Sequence, residues 1–395
     1  MNYFKSYNDF IFEGGNARVI DRESGEILAH AEKINLSIFD RSTFIKDVIE
    51  SLSKINDLYE KKTGRKIWKK FSIVESGKAF SGSTEFFFDL TIPDDEFKKY
   101  KSNVGDIDII IPKDISKDFE DFMPTLENKK LTSKITYLGQ DRIDFGTTWL
   151  AVFKYISGKK QVNFQIDFEY GDWTNKEEPS EWSKFSHNSN WNDIKNNIKG
   201  VHHKFLLINL ARALSKREDI VIATPSSTPD KIKQVSGKIA EQTPRLLAFS
   251  VDKGLRIKYK QMFNGDEPVE IDGKPVFQEI SVATSDYVKK LDQIYSYIFG
   301  LEPTKRALEK MKSFLGLCDL MEKKVDKSLI IDTFNFIVNE NLFGKRAQVL
   351  EKNNPILDRK VKQAMVDKLF VIFPYLKSEE SHVNNMANEY YKNKE

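Results

Sequence analysis

Cysteine is nearly absent from this chain: Cys318 alone occurs in 395 residues, so no intrachain disulfide can form and a reducing compartment is expected. Histidine is scarce as well, with five in all, and neither a paired cysteine motif nor His-Glu-x-x-His is present, which disfavours a zinc site. The adjacent pair His202-His203 therefore reads as helix-surface or core residues. No run of about 18 uncharged apolar residues occurs, which argues against a spanning helix. The start, Met1-Asn2-Tyr3-Phe4-Lys5, lacks the basic, apolar and small-residue succession of a secretion signal, so a cytoplasmic location without a membrane partner is expected. No charge of one sign dominates. Sixty-two lysines and arginines face 59 acids, a net +3, which excludes a polybasic coat or an acidic tail protein and means that charge must be read locally. Also missing are Gly-x-Gly-x-x-Gly, the P-loop spacing around Gly77-Lys78, and a Gly-x-Ser-x-Gly elbow. No internal repeat or low-complexity tract is found.

What is present suits folded domains. Forty per cent of residues are apolar, 29 of them phenylalanine, and the length implies two or three domains at roughly 100 to 200 residues each. Phe44, Ile45, Val48, Ile49, Leu52, Ile55, Leu58 and Tyr59 recur at helical spacing, with Asp40 and Ser42 as caps and Gly64 as the stop. Strands are expected at Phe71 to Val74, Asp106 to Pro112, Lys134 to Leu138, Thr147 to Ile156 and Val162 to Tyr170, the last two joined as a hairpin through Ser157 to Lys160. From Trp191 the pattern turns helical. Pro225 to Pro229 reads as a linker, and helical stripes follow at Tyr287 to Phe299, Thr304 to Met321 and Arg359 to Phe373. The last 15 or so residues are polar and expected to fray. The fold class expected is α+β, a mixed sheet flanked by helices in 1–222 with an amino-terminal extension, followed by a mostly helical domain in 223–395.

The chemistry concentrates in the second strand. Side chains alternate along a strand, so Asp106 and Asp108 share one face while Ile107, Ile109 and Ile111 enter the core. Two parallel carboxylates repel unless a cation lies between them, and hard oxygen ligands select Mg²⁺ or Mn²⁺ over softer metals. On the later strand, Phe164, Ile166, Phe168 and Tyr170 line one face and Gln165, Asp167 and Glu169 the other. If the two strands are neighbours, Asp167 completes a three-carboxylate rim, and the carboxylates should come within roughly 4 to 6 Å of a common point. The acids at Asp94 to Glu96 and Asp118 to Asp121 lie in lysine-rich, helix-like surroundings and read as solvated surface.

A Gly82-Ser83 turn downstream of a helix, then Gly105-Asp106-Ile107-Asp108 on a strand, then Asp167 on a later strand, resembles the DNA polymerase β-like nucleotidyltransferase superfamily. The likeness spans about residues 40 to 215. It implies a nucleotidyltransferase-like sheet, two-metal transfer of a nucleoside monophosphate from a nucleoside triphosphate such as ATP, and Mg²⁺ or Mn²⁺ on Asp106, Asp108 and Asp167. It also implies phosphate binding by Gly82 and Ser83. One departure stands out: Ser83 to Asp106 spans 23 positions, about twice the family's usual spacing, so an insertion around Phe86 to Lys101 is required.

A basic segment adds to this reading. Lys195 to Met262 holds 14 lysines and arginines against five acids, an excess of nine that suits a triphosphate or a nucleic-acid backbone. Within it, Lys199, Lys204 and Arg212 fall where related enzymes place a phosphate-binding cation. RNA, tRNA ends in particular, is the favoured acceptor, with a protein side chain or a small molecule as the others. The competing reading is a nucleic-acid-binding protein on an inactive nucleotidyltransferase-like fold. Cys318, among Phe314, Leu315, Leu317 and Leu320, reads as core.

Overall fold

A computed structural model describes residues 17–21, 24, 26–69, 79–141, 148–175, 177–186, 189–216, 244–250, 254–261, 263–264, 267–268, 270–271, 274–275, 278–280, 287–344, 347 and 359–392. The strand expected at Phe71 to Val74, Gly77-Lys78, the Pro225 to Pro229 linker and the basic residues of 217–243 lie outside these. The chain divides into two compact units, Phe12–Gly200 and Val201–Glu395.

The first unit is built on a mixed four-stranded sheet, order β5-β8-β7-β6, from β5 (Asp106–Pro112), β6 (Ile135–Gln140), β7 (Thr148–Ser157) and β8 (Lys160–Gly171). β5 runs parallel to β8, and the other two pairs are antiparallel. The β7–β8 hairpin closes at Ser157 and Lys160, where expected. Across one face lies α1 (Arg41–Thr63), capped by Asp40, whose carboxylate accepts the Thr43 N–H at 2.8 Å, and ended by Gly64 in the left-handed region. Its stripe of Phe44, Ile45, Val48, Leu52, Ile55 and Tyr59 is buried against Ile107, Ile109, Phe164, Ile166 and Phe168 of the sheet. The opposite face carries a smaller apolar cluster, Leu150 and Val152 under Ala17, Val19 and Ala31 of the hairpin β1 (Arg18–Ile20) and β2 (Ile27–His30).

The insertion expected between the Gly-Ser turn and β5 is ordered. It forms α2 (Thr84–Phe88), α3 (Asp94–Tyr100) and β4 (Asn103–Val104), the last paired with β3 (Ile34–Asn35). Arg41 holds it. This fully buried guanidinium donates to the carbonyls of Phe86, Phe87, Asp89 and Ile92 at 2.7–3.0 Å and pairs with Asp94 at 3.0 Å. It lies 4.7 Å from the ring centroid of Phe97, which stacks in turn on Trp191. A charge taken this far from water persists only because its donors are used.

The second unit is helical with an added β element. α7 (Gly200–Lys216), numbered after α4 (Ser116–Phe122), α5 (Glu181–Ser186) and α6 (Trp191–Lys195), opens it; α8 (Leu291–Phe299), α9 (Lys305–Met311), α10 (Phe314–Lys324), α11 (Lys327–Phe336), α12 (Arg359–Ile372) and α13 (Glu380–Lys392) follow. α7 lies in the second unit, where His203 bonds the Met311 carbonyl, Asn209 bonds Asn341, and Arg212 pairs with Glu340; the expected domain boundary was 222/223. Three expectations are corrected here. Strands occur where none was read, Pro244–Ser250, Gly254–Gln261 and Gln278–Ile280, in one antiparallel sheet. Leu255, Ile257 and Tyr259 alternate with Arg256, Lys258 and Lys260, a period of two hidden inside a cationic run. The stripe from Thr304 to Met321 is broken into two helices, because the Ser313 hydroxyl accepts the Gly316 N–H and starts a second one. The polar carboxyl-terminal segment forms α13, anchored by buried Val383 and Tyr390 one heptad apart. Cys318, His202 and His203 are all buried.

Two predictions follow from this packing. Arg41→Ala orphans four carbonyls and is expected to cost about 3–5 kcal/mol in urea unfolding; Arg41→Lys, with three donors, recovers only part of it. His203 is held neutral by burial, its pKa lowered to about 4 from 6.5. A histidine depressed in the folded state contributes stability above its unfolded pKa and loses it as pH falls toward the folded one. Between pH 6.5 and about 4, hydrogen exchange should therefore report up to roughly 3 kcal/mol of α7 protection lost, and less in His203→Gln.

Candidate metal centre

The parallel register of β5 and β8 sets Asp108 beside Asp167 and Asp106 beside Gln165. Because side chains alternate on each strand, Asp106, Asp108, Gln165, Asp167 and Glu169 emerge on the face opposite the main core. Asp106, Asp108 and Asp167 each offer a carboxylate oxygen, and these three atoms lie within 4.8 Å of one another. Asp106 and Asp167 are buried and Asp108 is half-buried. This meets the convergence expected of them.

The neighbourhood intensifies the crowding. Burial, above all, and then the charge of Asp106 push the Asp167 carboxyl well above the usual carboxylate range. Gln165 works in the other direction, its amide donating to Asp167 at 2.6 Å. Gln165 is itself pinned, since its carbonyl accepts the Ala17 N–H at 2.9 Å from the edge of the β1–β2 hairpin. Two unit charges 4.8 Å apart repel by about 3 kcal/mol at an effective dielectric of about 20. The donor set is all oxygen, half or more buried, and arranged around one point, which fits a hard divalent cation better than a soft one.

The Gly82-Ser83 turn is brought to the same place by backbone pairing. β5 is the edge of the sheet, and residues 79–81 close it: Ile110 N–H donates to Ala79 O at 2.8 Å and Ser81 N–H to Asp108 O at 3.1 Å. Gly82 then takes a positive φ of 58°, a conformation that costs a glycine little, and turns the chain into α2. Two side chains of this turn, Ser81 and Thr84, and one beyond it, Lys101, were not assigned roles from the sequence. Thr84 Oγ1 accepts the Asp108 N–H at 2.9 Å and lies 3.3 Å from its carboxylate; Ser81 Oγ donates to Glu169 at 2.6 Å; and Ser83 Oγ accepts from the ammonium of Lys101. A hydroxyl on each side of a Gly-Ser pair was the signal available for the first two. Nothing local marks Lys101, which stands 18 residues on.

Lys199 is half-buried at the end of the first unit, while Lys204 and Arg212 stand on α7 in the second, where Arg212 pairs with Glu340 at 2.8 Å. Among the described residues, no helix is long and apolar enough to cross a membrane. No protein-family model matches the chain, and no curated protein or solved structure is significantly similar to it.

A carboxyl whose folded pKa is raised favours the fold while protonated, and that contribution is lost as pH rises through the folded value. In chelator, wild type should therefore lose stability relative to Asp167→Asn as pH rises above the ordinary aspartate range. Mn²⁺ at about ten times its Kd should restore about 1.4 kcal/mol, or roughly 2–4 °C of Tm. Asp167→Asn should show under half of that shift by calorimetry.

Proposed function

We propose that this chain is a divalent-metal-dependent nucleotidyltransferase that moves a nucleoside monophosphate from a nucleoside triphosphate to an acceptor hydroxyl. One observation carries the reading: the three carboxylate oxygens gathered within 4.8 Å on one face of two adjacent parallel strands. The succession of α1, the Gly82-Ser83 turn, Asp-x-Asp on an edge strand and a third acid on its neighbour supports it. Mg²⁺ or Mn²⁺, when bound, would neutralise charge on the triphosphate and on the departing pyrophosphate.

In this mechanism Asp106 and Asp108 would hold the cation, which would supply positive charge to the phosphate oxygens. Asp167, beside Asp106 and oriented by the Gln165 amide, would accept the proton of the attacking hydroxyl. The acceptor oxygen bonds to the α-phosphorus as the bond to the β-phosphate bridging oxygen breaks, and pyrophosphate leaves. Gln165 keeps Asp167 oriented, and Thr84 does the same for Asp108. The excess charge of Lys195 to Met262 favours RNA, and tRNA ends in particular, as the acceptor.

The test is incubation of the full chain with each labelled nucleoside triphosphate, Mg²⁺ or Mn²⁺, and total cellular RNA. Wild type should transfer label and release pyrophosphate, and Asp108→Ala should lower the rate by roughly a hundredfold or more. Equal transfer by both proteins, or by neither, overturns the proposal. RNA binding that survives Asp106→Ala without pyrophosphate release would instead identify a binding protein on an inactive scaffold.

A further inference from the structure

The geometry points to Lys101 as the cation that receives the triphosphate at this site, delivered there by the segment that separates the Gly82-Ser83 turn from β5. The inference rests on the nucleotidyltransferase reading and assigns its substrate-binding charge to a residue outside the basic segment.

The segment between Ser83 and Asp106 is built as a support. Its turns are clamped by Arg41 through four carbonyls and Asp94, and its helix α3 is fastened by Phe97, fully buried and stacked on Trp191. Immediately past α3, the Lys101 N–H donates to the Phe97 carbonyl at 2.8 Å, and two residues later β4 pairs with β3. The backbone of Lys101 is thus fixed on both sides. Its half-buried side chain reaches back 18 positions in sequence to the Ser83 hydroxyl.

The next residue, Thr84, bonds both the amide and the carboxylate of Asp108. The ammonium therefore stands one residue along the turn from the carboxylate rim. A triphosphate drawn to that rim by a divalent cation still carries uncompensated oxygen charge, which needs donors beside the rim rather than within it. Ser83 and Lys101 are the neighbouring pair whose chemistry suits a phosphate oxygen, one by a neutral hydroxyl and the other by charge. Lysine serves such a role as a point charge on a flexible stem.

Isothermal titration with inorganic tripolyphosphate, in Mn²⁺ and then with Mn²⁺ alone, tests this without knowing the nucleotide. Lys101→Met should weaken tripolyphosphate binding roughly tenfold or more, the loss of one charge-assisted bond, and leave Mn²⁺ affinity within about twofold. Lys101→Gln, which keeps a donor for Ser83 but no charge, should behave the same and guards against misfolding of the first variant. Lys101→Arg should recover part of the loss. Lys99→Ala, removing an equal charge that sits over the Tyr100 ring at 5.3 Å, should change nothing. Wild-type affinity in both Lys101 variants, with loss in Asp108→Ala, overturns the role of Lys101 and leaves the nucleotidyltransferase reading standing. Tighter Mn²⁺ binding by Lys101→Met at unchanged tripolyphosphate affinity also overturns it, and makes Lys101 a counter-charge of the acids. No tripolyphosphate binding by wild type removes both.

Discussion

The parallel register between β5 and β8 is the constraint on which the first unit turns. It aligns Asp108 with Asp167, so three carboxylates meet on one face of the sheet whether or not anything neutralises them. The same register aligns Ile107 with Ile166 and Ile109 with Phe168 on the other face, where they form the core under α1. A slip of one residue would turn the acids inward and the isoleucines outward, so the register is locked by the apolar face. Hydrophobic burial on one side of two strands thus imposes electrostatic crowding on the other.

The surroundings keep that crowding in place instead of dispersing it. Gln165 and Thr84 hold two of the acids by hydrogen bonds, and the β1–β2 hairpin covers the adjoining apolar patch of Leu150 and Val152. Val19 of this hairpin packs so closely on Gly139 that a Cβ there would lie 2.8 Å from its methyl carbon. On the far edge, residues 79–81 close β5, and the Arg41 clamp holds the long segment that follows. The 23-position interval between turn and acids is therefore filled with specified structure, anchored by a buried charge whose donors are satisfied by backbone.

Much of this was legible in the sequence, and the part that was not has a physical cause. α1 could be bounded to the residue because a capping aspartate, an unbroken apolar stripe and a terminal glycine all agree. The acids of β5 and β8 could be placed on a common face because alternation is a property of any strand. Their adjacency needed the parallel pairing of strands some 50 residues apart, which periodicity does not encode. Arg41 is, by sequence alone, one polar residue in the first turn of α1, and Lys101 is the last of three lysines between positions 98 and 101. Their partners are carbonyls and a distant hydroxyl, groups every residue or any loop can supply. The strand at 254–261 was hidden by the positive charge of alternate residues, and the side-chain ties of α7, to Met311, Glu340 and Asn341, lie more than 100 residues away, beyond the reach of local pattern.

The packed elements of the first unit follow local rules of stability, and the carboxylate cluster goes against them. The apolar stripe, the capped helix and the satisfied guanidinium all lower the free energy of the fold, whereas three carboxylates within 4.8 Å, two of them buried, raise it unless protonated or joined by a cation. Such an exception persists in an otherwise consistent structure when it serves something other than folding. Isosteric asparagines would fill the same space and accept similar hydrogen bonds without repulsion. That carboxylates occupy all three positions is therefore an argument for charge, and charge held half out of water beside a polar turn is an argument for a hard cation and the phosphate oxygens it attracts.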